Sequence, residues 1–93
     1  MAYHVNVFSL IGCSHCKELK SALEENNIPF TDFEVNEHRT IYDQILDQTK
    51  IDALPTVYIQ NDETGAGPIL VAGRDFLQKS EAIEKIKNIL KKN

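Results

Sequence analysis

The chain has 93 residues, 42% of them hydrophobic and 26% charged, with a formal net charge of -4. That length suits one domain over residues 1–93 with a single core, and no apolar run approaches the roughly 20 residues of a membrane-spanning helix. The acidic balance argues against nucleic acid, whose phosphates need a basic patch.

At the start, Met1-Ala2-Tyr3-His4 runs into an apolar stretch without the basic segment and cleavage site of a signal peptide, so the expected location is the cytosol. Val5-Asn6-Val7-Phe8-Ser9 alternates and carries β-branched and aromatic residues, which predicts a first strand ending near Gly12. From Ser14 to about Asn26, Cys16, Leu19, Ala22 and Leu23 recur at steps of three and four, predicting a helix with one buried stripe that stops before Pro29. Phe30–Val35 alternates as a second strand, and Ile41, Ile45 and Leu46 predict a second helix with Thr40 as its N-cap. Pro55–Ile59 and Pro68–Val71 read as two strands of an antiparallel hairpin around the turn-rich Asn61–Gly67. A last helix is expected from near Asp75 to Leu90, with Phe76, Ile83, Ile86, Ile89 and Leu90 inward and a break near Ser80 and Glu81. The lysines at its end, Lys85, Lys87, Lys91 and Lys92, read as a solvated tail. The resulting order is βαβαββα, an α/β architecture whose first two strands form a parallel unit through the first helix.

The chain's two cysteines, Cys13 and Cys16, stand at i and i+3 between the first strand and the first helix, the setting of a redox dithiol. At a helix N-terminus the Cys13 sulfur faces unpaired N–H groups and the positive end of the helix dipole, which favour the thiolate, the attacking species. The expected cycle has Cys13 attack a disulfide and Cys16, one turn inside, resolve the mixed disulfide. His15, if protonated, and Lys17 would further stabilise the thiolate, while Ser14 keeps a backbone N–H near it. The plainer reading leaves His15 and Lys17 as exposed residues of a first helical turn. A structural zinc site needs four ligands, and the chain offers only His4, His15 and His38 besides the cysteine pair. A structural disulfide across so short a loop constrains the unfolded chain little, and two buried bystander thiols are the remaining alternative.

The dithiol, Leu54-Pro55-Thr56-Val57-Tyr58-Ile59 and Val71-Ala72-Gly73-Arg74-Asp75 together resemble the glutaredoxin family in order and spacing, over nearly the whole chain. The resemblance implies a thioredoxin-like, glutaredoxin-type fold with a four-stranded mixed sheet flanked by helices, and thiol–disulfide oxidoreductase activity with glutathione as co-substrate. It further implies a cis Leu54–Pro55 bond that turns the Leu54 backbone toward an incoming peptide-like disulfide. Gly73, Arg74 and Asp75 match positions that bind the γ-glutamyl end of glutathione. A helix N-terminus there would hold the carboxylate, and Asp75 the ammonium. As plain structure, Gly73 is a turn glycine and Asp75 a helix cap, and both readings can hold at once.

Several positions depart from the family pattern. Leu10 replaces a lysine, Tyr42 stands at a polar or basic position and Asp52 at one often basic, so the glycine carboxylate of glutathione lacks its usual cations unless Lys50 or Arg39 supplies one. Ser14-His15 also replaces the proline and tyrosine most often found between the cysteines. Leu54 before the proline resembles redoxins that are reduced by thioredoxin reductase and donate electrons to ribonucleotide reductase, although Arg74-Asp75-Phe76 fits that pattern poorly. Ser14 also resembles family members that carry a [2Fe-2S] cluster between two protomers with glutathione, a reading of a different class, and an inert interaction domain is a third. The expected protein is a monomer acting on protein disulfides, with glutathione or thioredoxin reductase as electron source and no resident metal.

Overall fold

The computed structural model describes residues 3–91; Met1, Ala2, Lys92 and Asn93 lie outside the described residues, and with them part of the leader and tail readings. The β-branched and aromatic residues of Tyr3–Ser9 form β1, followed by α1 (Ser14–Glu25), β2 (Phe30–Glu34), α2 (Arg39–Thr49), β3 (Thr56–Asn61), β4 (Ile69–Val71) and α3 (Lys79–Lys91). The expected βαβαββα order is therefore present. Among the described residues, no helix is long and apolar enough to cross a membrane.

The strands make one mixed sheet in the order β2-β1-β3-β4. β1 runs parallel to β2, with Val7 beside Asp32, and antiparallel to β3, with Val7 beside Val57. The predicted hairpin is the antiparallel β3–β4 pair, with Val57 opposite Leu70. Being central, β1 is covered on both faces: Val5 through Ser9 are all buried. Asn6 is satisfied there by donating its side-chain amide to Tyr58 O at 3.2 Å.

One face of the sheet carries α1 and α3, which pack Leu19, Leu23, Ile83 and Ile86 over Val5, Val7, Val57 and Ile59. The opposite face carries α2, whose Tyr42 and Ile45 close over Phe8 and Val35. Phe8 stacks on Phe33 with ring centroids 5.4 Å apart and lies 5.7 Å from the Tyr42 ring. This aromatic group stands directly behind the end of β1, from which the dithiol turn departs.

Two boundaries differ from the sequence expectation. His38, rather than Thr40, is the N-cap position of α2, and its side chain makes no capping hydrogen bond. α3 begins at Lys79 instead of near Asp75, so the expected break at Ser80 and Glu81 is in fact the helix's first turn. Phe76 consequently reaches the core from a loop; it is buried as expected, but not as part of a helix face. The loop is tied by Gly73 N–H donating to Phe76 O at 2.8 Å and by Ala72 N–H donating to Pro55 O at 3.2 Å.

Candidate active site

The seat of the dithiol is made by local sequence. After Ser9 the chain turns, and Cys13 N–H donates to Leu10 O at 3.0 Å. Gly12 lies at φ 90°, a region that strains residues with a side chain, so glycine permits the reversal that starts α1. Cys13 is the N-cap, in an extended conformation, and its Sγ accepts the Cys16 N–H at 3.2 Å. An otherwise unpaired helix donor and the positive end of the α1 dipole therefore both act on the Cys13 sulfur, and both favour its anion. Cys16 is 1% exposed and joined to Cys13 by a disulfide, while Cys13 is only half-buried. One sulfur can meet a substrate; the other is sheltered one turn inside the helix.

Ser14, His15 and Lys17 are exposed around this pair. The His15 side chain is 79% exposed, with Nδ1 3.8 Å from Glu18 Oε1, a long contact that water screens. Beyond His15, a hollow of about 290 Å³ is bounded by Leu19, Leu54, Pro55, Gly73, Phe76 and Lys79, among others. The Leu54–Pro55 bond is cis, as the resemblance implied. Cys13, Ser14 and Lys17 line a second hollow of about 520 Å³ with Leu10, Ile11 and Lys20. The structure thus gathers His15, Leu54, Pro55 and Gly73 on one side of the dithiol and Ser14 and Lys17 on the other.

Arg74 and Asp75 border neither hollow. Gly73, at φ 89°, makes the turn expected of it. Asp75 is neither a helix cap nor turned outward: its Oδ2 accepts the Val71 N–H at 2.8 Å and the Arg74 Nε–H at 2.8 Å, and Arg74 Nη2 donates to Ile69 O at 2.8 Å. The helix N-terminus expected beside Asp75 starts later and is covered by its own residue: Glu81 Oε1 accepts the N–H of Leu77 at 2.9 Å and of Gln78 at 3.3 Å, the carboxylate half of a capping box. On the other side, the Tyr42 hydroxyl donates to Asp52 at 2.7 Å. Burial, followed by this bond and the Asp52 charge, holds the Tyr42 phenol above its ordinary range. Arg39 and Lys50 pair with Asp43 and Asp47 at 3.2 and 3.3 Å. Of the groups assigned to glutathione by resemblance, Arg74 and Asp75 bond each other, while Leu54, Pro55 and Gly73 border the hollow beyond His15.

Sequence reasoning did not single out Lys20, Asp32 and Ser9. Ser9 Oγ donates to Asp32 Oδ1 at 2.6 Å, and Lys20 Nζ donates to Asp32 Oδ2 at 2.9 Å, tying α1 to the β1–β2 pair just behind the dithiol. The i+4 step from Cys16 to Lys20 was the available sign. Burial raises the Asp32 pKa, but hydrogen bonds from Lys20 and Ser9, with the Lys20 charge, outweigh it and leave the carboxyl below its ordinary 3.8. A depressed folded-state pKa gives stability that is present above the unfolded value and lost as pH falls through the folded one. The stability gap between wild type and Asp32→Asn, followed by urea unfolding, is therefore expected to narrow as pH drops below about 4. A gap independent of pH would show that the pair contributes nothing ionic. Asp32 is 39% exposed, so solvent keeps the effect small.

Among the described residues, no three His, Cys, Asp or Glu side chains converge on one position. Cys13 at a helix N-cap, Cys16 one turn inside and disulfide-bonded to it, and a proline-walled hollow beside them form a CxxC disulfide site on a thioredoxin-like fold. The glutaredoxin family model matches residues 5–63, well over half of the chain, and the chain belongs to the glutaredoxin family. Membership implies glutathione use in general. No curated protein matches the chain.

Proposed function

We propose that the chain is a dithiol oxidoreductase that reduces protein disulfides and glutathione mixed disulfides, with Cys13 as nucleophile and Cys16 as resolving thiol. The observation that carries this reading is the Cys13 Sγ at the α1 N-cap, accepting the Cys16 N–H. The Cys13 thiolate attacks one sulfur of the substrate disulfide; a new S–S bond forms, the old one breaks, and the leaving sulfur takes a proton from solvent. Cys16, within disulfide reach from the buried side, then attacks Cys13, releases the second substrate thiol and leaves the Cys13–Cys16 disulfide. An external thiol or dithiol returns the pair to its reduced state. His15 and Lys17 lie where positive charge would favour the thiolate, although exposure weakens that effect. Leu54 and Pro55 form a wall for the substrate chain. A reducing compartment such as the cytosol suits a pair that must be re-reduced after each turnover.

Cys16→Ser tests the order of attack. Incubation with a protein disulfide is expected to leave a stable adduct at Cys13, found by nonreducing electrophoresis and peptide mapping. An adduct at no site, or one formed equally by Cys13→Ser, would remove Cys13 from the nucleophile's role. Coupling to NADPH oxidation through glutathione in one arm and thioredoxin reductase in the other identifies the electron source.

A further inference from the structure

Large apolar side chains are rarely grouped in the open without a partner. Among the described residues, four are exposed: Leu10 at 40%, Ile11 at 83%, Ile41 at 41% and Leu77 at 78%. Three of the four border the hollows flanking the dithiol, Leu10 and Ile11 beside Cys13, and Leu77 across from His15. The Leu77 hollow is apolar further in, where Leu19, Leu54, Pro55 and Phe76 wall it.

The charges on this face point the same way. Lys17 stands in the Ile11 hollow and Lys79 at the rim of the Leu77 hollow; both are exposed, and neither has an ion pair among the described residues. The exposed Glu18 also borders the Leu77 hollow and offsets Lys79, but no carboxylate among the described residues lines the Ile11 hollow beside Cys13, so Lys17 makes a local exception on a chain of net charge -4 and complements an acidic ligand. Two groups that the resemblance gives to glutathione are engaged within the chain: Asp75 by Arg74 and Val71, and the start of α3 by Glu81.

We propose that the substrate read by this face is an extended segment of a partner protein, with an aliphatic or aromatic side chain next to its disulfide cysteine and an acidic side chain close by. This rests on the redox reading above and names its substrate class. The apolar neighbour enters a hollow flanking the dithiol, the carboxylate meets Lys17, and the cysteine sulfur is brought to Cys13. The chemistry is that already given: Cys13 Sγ bonds to the segment's sulfur as its S–S bond breaks, and Cys16 completes the two-electron reduction.

The test uses four disulfides of 2-mercaptoethanol: a peptide whose cysteine is flanked by Leu and Glu, the same peptide with Gly for Leu, the same with Lys for Glu, and hydroxyethyl disulfide itself. The expected kcat/KM for the Leu and Glu peptide exceeds that for either altered peptide by about tenfold, the scale at which an apolar pocket discriminates. In Ile11→Ser and Leu77→Ser, at least one of the two is expected to lose most of the Leu-over-Gly ratio. Equal rates on all three peptides, with hydroxyethyl disulfide still reduced, overturn the docking proposal and leave the redox reading standing. Faster reduction of the glutathione mixed disulfide than of the Leu and Glu peptide also overturns it. Reduction of none of the four overturns both.

Discussion

Cys13→Ser is expected to lower disulfide reduction by about a thousandfold or more, since it removes the accessible thiol and leaves only Cys16, which is 1% exposed. The fold is expected to survive, for a reason visible at the same atom. The Cys13 sulfur is the N-cap acceptor for the Cys16 N–H, and serine is among the best residues for that position. Its hydroxyl oxygen takes over the cap while a hydroxyl, far less acidic than a thiol, cannot supply the anion. Turnover measured beside thermal unfolding under reducing conditions separates the two effects. Activity within tenfold of wild type would mean that another residue attacks first. Cys16→Ser differs from it in kind, because attack proceeds and resolution stops.

Phe8→Ala should cost about 3–5 kcal/mol, a large share of the roughly 5–15 kcal/mol that holds a domain together. Phe8 is 1% exposed, stacks on Phe33 and meets the Tyr42 ring, so truncation leaves a cavity between the sheet and α2 that neighbours can fill only in part. The loss should appear as a lower urea midpoint with an unchanged slope. A cost under about 1 kcal/mol would show that the cluster collapses around the gap. The same change loosens the end of β1, which delivers Gly12 and Cys13, and the seat of Tyr42, which holds Asp52. Disulfide reduction by the folded fraction is therefore expected to fall as well, though by far less than in Cys13→Ser.

Asp75 and Phe76 show where reading along the chain reaches its limit. Phe76, Ile83 and Ile86 are spaced seven and three apart, in phase with one helix face, so apolar periodicity extends the helix back to Asp75. In the structure Phe76 reaches the same core from a looped backbone held by Gly73, Ala72 and Pro55. Periodicity records which residues are buried, not the backbone that buries them. Glu81 takes the N–H groups of Leu77 and Gln78 ahead of α3, but Gln78 is not one of the serine, threonine, aspartate or asparagine caps by which a sequence marks such a start. β1 illustrates a second limit: alternation along the strand does not show that both its faces are covered, and only the sheet order, with neighbours on both edges and helices on both faces, buries Asn6 and Ser9.

What the sequence determined by itself is local: the strand, the glycine turn and the helix that begins on Cys13, because strand propensity, a positive-φ glycine and the 3.6-residue period act over a few neighbouring residues. The dithiol and its asymmetry follow from that stretch alone. What the tertiary structure decided is the company the dithiol keeps. Leu54, Gly73, Leu77 and Lys79 are brought to its flank by the packing of α1 and α3 on one face of the sheet, and Tyr42 finds Asp52 as α2 closes the other. The Tyr42–Asp52 hydrogen bond depends on sub-ångström placement between two segments, which no spacing along the chain encodes.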